Sequence, residues 1–81
     1  MKLYSIRDTK MNTYNAPVGS PNVAVITRDL TEIVNNPEHR WSKHASDFEL
    51  FEVAEYDEKT GVITAPEKPD FILTLSELKE Q

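Results

Sequence analysis

The stretch "GSPNVAVITRDLTEIVNNP", from Gly19 to Pro37, decides the fold because it carries the clearest helical pattern in the chain. Ser20 is a suitable N-cap residue, and Pro21 suits the first helical position, where a missing N–H has no consequence. The apolar residues of one stripe recur at three- and four-residue spacing: Val23, Ile26, Leu30, Ile33 and Val34. Pro37 ends the pattern, because the residue before a proline avoids the α region. The stretch predicts a helix from about Pro21 to Asn35.

Strand-like segments flank this helix on both sides. The helix is rich in β-branched residues, which disfavour an isolated helix, so we expect its apolar stripe to pack on a sheet. The predicted strands are Lys2–Asp8 and a return strand in "TYNAP" before the helix, then Asp47–Asp57, "VITA" and Asp70–Leu75 after it, with a short helical end. The order β-β-α-β-β-β predicts a single α+β domain over residues 1–81, with one helix, about residues 21–35, on one face of a small antiparallel sheet.

The segment from Asp47 to Asp57 carries apolar residues on both faces of its strand. Alternation puts one set on the first face: Phe48, Leu50, Ala54 and Tyr56. It puts Phe51 and Val53 on the second face, which a single helix leaves uncovered. Exposed apolar patches mark interfaces, and a symmetric homodimer is the commonest cover for one. A chain this short also has a thin core that oligomerisation can supplement. We therefore expect Phe51 and Val53 to lie in a homodimer interface.

The charge of the chain is unevenly distributed. The formal net charge is −5. Residues 1–46 carry six Lys/Arg against four Asp/Glu, a net +2, whereas residues 47–81 carry three against ten, a net −7. An acidic total argues against a general nucleic-acid coat protein, but a local basic patch in the N-terminal half remains open. No stretch approaches the ~20 apolar residues of a membrane span, and no secretory signal is present, so a cytoplasmic protein without a membrane partner is expected.

Several kinds of catalytic and metal site have no matching pattern. The chain has two glycines and no cysteine, so it lacks a glycine-rich phosphate loop and a thiol nucleophile. His39 and His44, with Glu38 or Asp47, have a poor spacing for zinc. The glutamates of the strand from Asp47 to Asp57 alternate with apolar residues, as on a solvated face. We expect no catalytic residue, no metal, no cofactor and no enzymatic activity.

The stretch "HRWSKH", His39 to His44, is the candidate site, and it has two interpretations. In the first it is a loop that contacts single-stranded DNA: Arg40 and Lys43 pair with phosphates, Trp41 stacks on a base, and His44 belongs to the same contact loop. Arg7, Lys10 and the ring of Tyr14, all from the first hairpin, would extend that surface. In the second, Trp41 folds back to close the core beyond the helix, and the cations keep the flanks soluble and complement the helix C-terminus. The two interpretations are compatible if the cations act without the indole.

Two longer segments carry a family resemblance: "MKLYSIRDTKMNTYNAP" at the N-terminus and "VNNPEHRWSKHASDFELFEVAEYDEKTG" from Val34 to Gly61. Within the second, Lys43-His44, Asp47-Phe48-Glu49-Leu50 and the turn Tyr56–Gly61 follow the pattern. The chain resembles the small non-structural protein of gokushoviruses, single-stranded DNA bacteriophages of the microvirus group. It departs from the pattern at Val18-Gly19, where an aromatic pair is common, and at Ala45, where a proline is common.

The resemblance implies a non-enzymatic role in replication or packaging of a single-stranded DNA genome, in the cytoplasm of the infected host cell. It supplies no catalytic residues and no DNA contacts to transfer. Together with the residues above, it leads us to expect a phage non-structural protein that binds single-stranded DNA as a dimer. The alternative is an acidic adaptor that binds a viral replication or capsid protein without touching DNA, which the acidic C-terminal half favours.

Overall fold

The computed structural model describes residues 1–80 and shows an α+β fold, as predicted. The elements are β1 (Lys2–Asp8), β2 (Thr13–Tyr14), β3 (Val18–Ser20), α1 (Val23–Val34), α2 (Arg40–Lys43), a 3₁₀ turn (Ala45–Asp47), β4 (Phe48–Tyr56), β5 (Ile63–Thr64), β6 (Asp70–Thr74) and a second 3₁₀ turn (Leu75–Leu78). The six strands form one antiparallel sheet. No helix within the described part of the chain has the length and apolarity to span a bilayer.

The sheet is built around the long antiparallel pair β1 and β4, in which Ile6 lies opposite Leu50. Strands β2 and β3 both pair with the outer edge of β1, and β5 and β6 both pair with the outer edge of β4. The sequence predicted one return strand where the structure has two. Asn15 separates them: its Oδ1 accepts from the Ile6 N–H (2.9 Å) and the Ser5 hydroxyl (3.1 Å). The acceptor for the Ile6 N–H is thus the Asn15 side chain, where a regular sheet would use a backbone carbonyl oxygen.

The core lies between the sheet and the helices, all of which pack on one face. Its buried residues include three from the predicted stripe and four from the central strands: Ile26, Leu30, Val34, Tyr4, Ile6, Phe48 and Leu50. Burying each such aliphatic side chain contributes about 1.5–3 kcal/mol, so packing stabilises a helix whose composition does not. Val23 of the predicted stripe is instead 46% exposed.

The start of α1 differs from the predicted start. Asn22 is the N-cap, and its Oδ1 accepts from the Val25 N–H at 3.0 Å. Ser20 ends strand β3 instead, and Pro21 lies before the cap rather than in the first turn. Both asparagine and serine suit this position, so composition alone did not distinguish two candidates two residues apart.

A bulge in β4 corrects the predicted faces of this strand. Leu3 lies opposite Ala54 and Tyr4 lies opposite Glu52, which leaves Val53 without a partner in β1. One extra residue reverses the alternation. Ala54 and Tyr56 therefore share a face with Phe51, and not with Phe48 and Leu50 as the sequence predicted.

Candidate nucleic-acid interface

The segment that carries the candidate site is anchored at its start by Asn35. The Asn35 Nδ2 donates to the carbonyl oxygens of Thr31 (2.8 Å) and Leu78 (2.9 Å), and its Oδ1 accepts from the Glu80 N–H (2.8 Å). The last carbonyls of a helix need such partners. Asn35 thus ties the end of α1 to the C-terminal segment and gives the following loop a fixed origin.

His39 starts the single turn α2. Its Nδ1 accepts a hydrogen bond from the Trp41 N–H at 3.0 Å, which makes His39 the N-cap. A ring nitrogen used in this way is not free to bind a metal ion. Among residues 1–80, no three His, Cys, Asp or Glu side chains are close enough together to hold one.

Trp41 packs against the core. Its ring lies 6.1 Å from the ring of Phe48 and 5.1 Å from that of His39, measured between centroids. The side chain is partly buried, and its Nε1 is buried without a hydrogen-bond partner among the described residues. An indole packed in this way closes the space between α2 and the sheet, which favours the second of the two interpretations for this residue.

The cations around Trp41 point outward and meet the first hairpin. Arg40 and His44 line one shallow depression together with Lys10, which comes from the turn between β1 and β2. The depression has a volume of about 230 Å³. The Arg40 guanidinium lies over the Phe48 ring, 5.2 Å from its centroid, which fixes its stem. Lys43 is exposed and follows Arg40 by three residues, so both start from one side of the turn. We call Lys10, Arg40, Lys43 and His44 the cationic end.

The cationic end is free of strong internal ion pairs. Within residues 1–80, Lys10, Arg40 and Lys43 have no carboxylate within 4.0 Å of their nitrogens. Two acidic residues, Asp8 and Asp47, line the depression together with Lys10 and Arg40. Asp8 is engaged in the turn, where its Oδ1 accepts from the N–H groups of residues 10 and 11 at 2.9 and 3.1 Å.

Arg7 lies apart from the other predicted contact residues. In β1 it is opposite Tyr14 and Glu49, on the sheet face that the helices leave open. Its guanidinium is 3.2 Å from the Glu49 carboxylate and also donates to Asn12 Oδ1. The structure therefore brings Lys10, but not Arg7, to the loop that follows α1.

The best-defined acidic pairing lies at the far end of the central strands. Lys2 bridges Glu52 (3.4 Å) and Glu55 (2.9 Å). The hydrogen bond from Lys2 holds the pKa of Glu55 below its usual value, and the same contacts raise the pKa of Lys2. Lys2 opens β1 and Asp8 ends it, so about 20 Å of strand separates this pairing from the cationic end.

Two features of the structure go beyond the sequence prediction, which placed Phe51 on the uncovered face but predicted neither feature as a whole. Tyr14, Phe51 and Phe71, from three different strands, form a row of rings on the open face. An apolar cleft of about 200 Å³ lies between α1 and the sheet, lined by residues that include Leu30, Ile33 and Trp41. Alternation in β4 indicated Phe51. Strand register brings the other two rings beside it, and no local pattern encodes that register.

Comparison with known proteins assigns the chain to a family. The sequence profile described as "Phage ORF5 protein" matches residues 1–78, nearly the whole chain. Searches of curated proteins and of solved structures returned no match. Because the match covers both the central strands and the cationic end, the chain belongs to the phage ORF5 protein family.

Proposed function

We propose that this phage protein is a non-enzymatic, non-structural gokushovirus factor that binds single-stranded DNA during genome replication or packaging in the host cytoplasm. The observation that carries the proposal is the cationic end. Residues from two distant segments, Lys10 and Arg40–His44, meet at one end of an acidic protein. Phosphates are the ligand class that such a cluster suits best.

The positive and negative charges lie at different ends of the central strands, which allows the cationic end to bind phosphate although the chain has a net charge of −5. The Lys2–Glu52–Glu55 group lies about 20 Å of strand away from the cationic end. Screening in physiological salt acts over about 8 Å, so those exposed charges have little effect at that distance. Glu49, which is closer, is paired with Arg7. Asp8 and Asp47 also line the depression. The proposed phosphate contacts are therefore the exposed, outward-facing ends of Arg40, Lys43 and Lys10, not the floor of the depression.

Trp41 acts indirectly in this proposal. The packed ring holds α2 against Phe48 and so fixes where Arg40 and Lys43 project. Binding through three permanently charged side chains, with Trp41 packed and not stacking on a base, gives a mainly electrostatic site. On single strands, log K should fall with log salt at a slope of about −2 for three phosphate contacts.

Fluorescence anisotropy with a labelled single-stranded oligonucleotide tests the proposal. The double variant Arg40→Ala/Lys43→Ala should lose most of its affinity in low salt, with weak residual binding through Lys10. Its matched control is Lys59→Ala/Lys68→Ala, which removes the same charge from exposed positions in the C-terminal half. Loss in the first and retention in the second is expected. Equal effects of the two would show nonspecific attraction, and no binding by the parent chain would overturn the proposal.

A second candidate function is favoured by the apolar cleft. Asp29 lies among its lining residues, so an apolar side chain next to a cation on a replication or capsid protein would fit there. In this alternative the protein is an acidic adaptor that never contacts DNA. Calorimetric titration with the purified viral capsid or replication protein tests it. Binding that Asp29→Lys weakens and Arg40→Ala/Lys43→Ala leaves unchanged would support the adaptor over the DNA-binding function.

A further inference from the structure

The open face of the sheet is apolar and nearly neutral. Strand register assigns residues to this face because opposed residues in antiparallel strands share it. These include Leu3, Tyr14, Phe51, Ala54 and Phe71. The register places Arg7 and Glu49 as charged residues of the central strands on this face, and they pair with each other at 3.2 Å. An acidic protein thus presents one face on which charge nearly cancels.

The row of rings defines the centre of this face. The Phe51 ring lies 5.3 Å from that of Tyr14 and 5.7 Å from that of Phe71, both edge to face. Tyr14 is 45% exposed and Phe71 54% exposed, although both are large and mainly apolar. Covering such rings in an interface contributes more than covering an average surface, because aromatic residues are frequent binding hot spots.

From these observations we infer that a second copy of this chain covers the open face, so that two sheets stack on each other. The inference does not depend on DNA binding. Neutrality favours a second copy because two faces of net charge near zero can approach each other despite the chain's net charge of −5. β4 is nine residues long and the sheet is four strand positions wide, so the face measures about 30 by 19 Å. Each copy would thus bury at most about 570 Å², or roughly 1,100 Å² for the pair, which clears the ~1,000 Å² expected of a biological interface and lies at the small end of the range.

Symmetry then specifies the contacts. A two-fold axis between the sheets and parallel to β1 and β4 exchanges the two sides of the sheet. Tyr14 of each copy then meets Phe71 of the other, and Arg7 of each copy meets Glu49 of the other. The ion pair seen within one chain becomes part of a group of four charges shared by two chains.

Charge complementation tests this arrangement. Arg7→Glu and Glu49→Arg each place like charges together in a homodimer, so each variant alone should be monomeric by analytical ultracentrifugation. An equimolar mixture should form a heterodimer, because every contact between the two different chains is then between opposite charges. The pair within each variant chain stays broken in the mixture, so recovery of a dimer reports on contacts between chains. Both variants are checked for folding by circular dichroism.

A matched pair of substitutions tests the row of rings. Phe71→Arg should raise the dimer dissociation constant on the order of 100-fold or more, since each change occurs twice in the interface. Val23→Arg, at an exposed apolar residue on the helix side, should leave it unchanged. Arg40→Ala/Lys43→Ala should remain dimeric, which separates this inference from the DNA-binding proposal. A parent chain that stays monomeric at hundreds of micromolar, or a mixture that stays monomeric, would overturn it.

Discussion

Replacement of Trp41 by leucine separates its packing role from a role in stacking on bases. In the structure the indole fills space beside Phe48, and its buried Nε1 has no partner among the described residues. Leucine keeps apolar volume and removes that unsatisfied donor. Losing part of the ring volume costs about 2–3 kcal/mol for a partly buried site, and removing the donor returns about 1 kcal/mol. We expect a net loss of about 1–2 kcal/mol in the free energy of unfolding.

The assay pairs urea unfolding, followed by circular dichroism, with oligonucleotide binding at a temperature where both proteins are folded. Affinity for single-stranded DNA should change less than twofold, because only the cations contact phosphate. A stacking tryptophan would instead lose about 1–3 kcal/mol of binding, or roughly 5- to 150-fold, when its ring is removed. A Trp41→Leu variant with unchanged stability and a loss of that size would refute the packing role.

Three further substitutions test the fold. Asn22→Ala should cost about 1 kcal/mol in urea unfolding through loss of the N-cap, and more than Ser20→Ala; the reverse order would contradict the observed helix start. Asn15→Ala should lower the free energy of unfolding by about 1–3 kcal/mol, because the Ile6 N–H loses its hydrogen-bond acceptor. A melting temperature like that of the parent would contradict this and show that water replaces the acceptor. Glu55 has a pKa lowered chiefly by the hydrogen bond from Lys2, so its stabilising contribution is present above the usual carboxyl pKa and disappears as pH falls through the lowered value. The melting temperature of Glu55→Gln should therefore lie below that of the parent at pH 7 and converge with it in acid; a gap that is independent of pH would contradict this linkage.

The helix was predictable because its pattern is local. Ile26, Leu30 and Val34 recur at the spacing of one helix face, and the structure buries all three. The sheet was less predictable because its details depend on distant partners. Neither the bulge at Val53 nor the insertion of Asn15 between β2 and β3 leaves a periodic signal, and each changes the face or strand that simple alternation predicts.

The candidate site shows the same division between local and distant information. Arg40, Lys43 and His44 were grouped because they are neighbours in sequence, and Lys10 joins them because β1 and its turn reach the same end of the domain. Arg7 does not join them. Since Ile6 faces the core, strand alternation requires Arg7 to face the opposite side, where register places it beside Glu49.

The salt dependence of binding to single-stranded DNA tests the central claim most directly. Titrations of the parent chain from about 50 to 200 mM salt should give a slope of log K against log salt near −2. Removal of Arg40 and Lys43 should bring the slope to about −0.7, as expected when one of three phosphate contacts remains. A parent chain that does not bind at about 50 mM salt, or a slope that the double substitution leaves unchanged, would contradict a DNA-binding role for the cationic end.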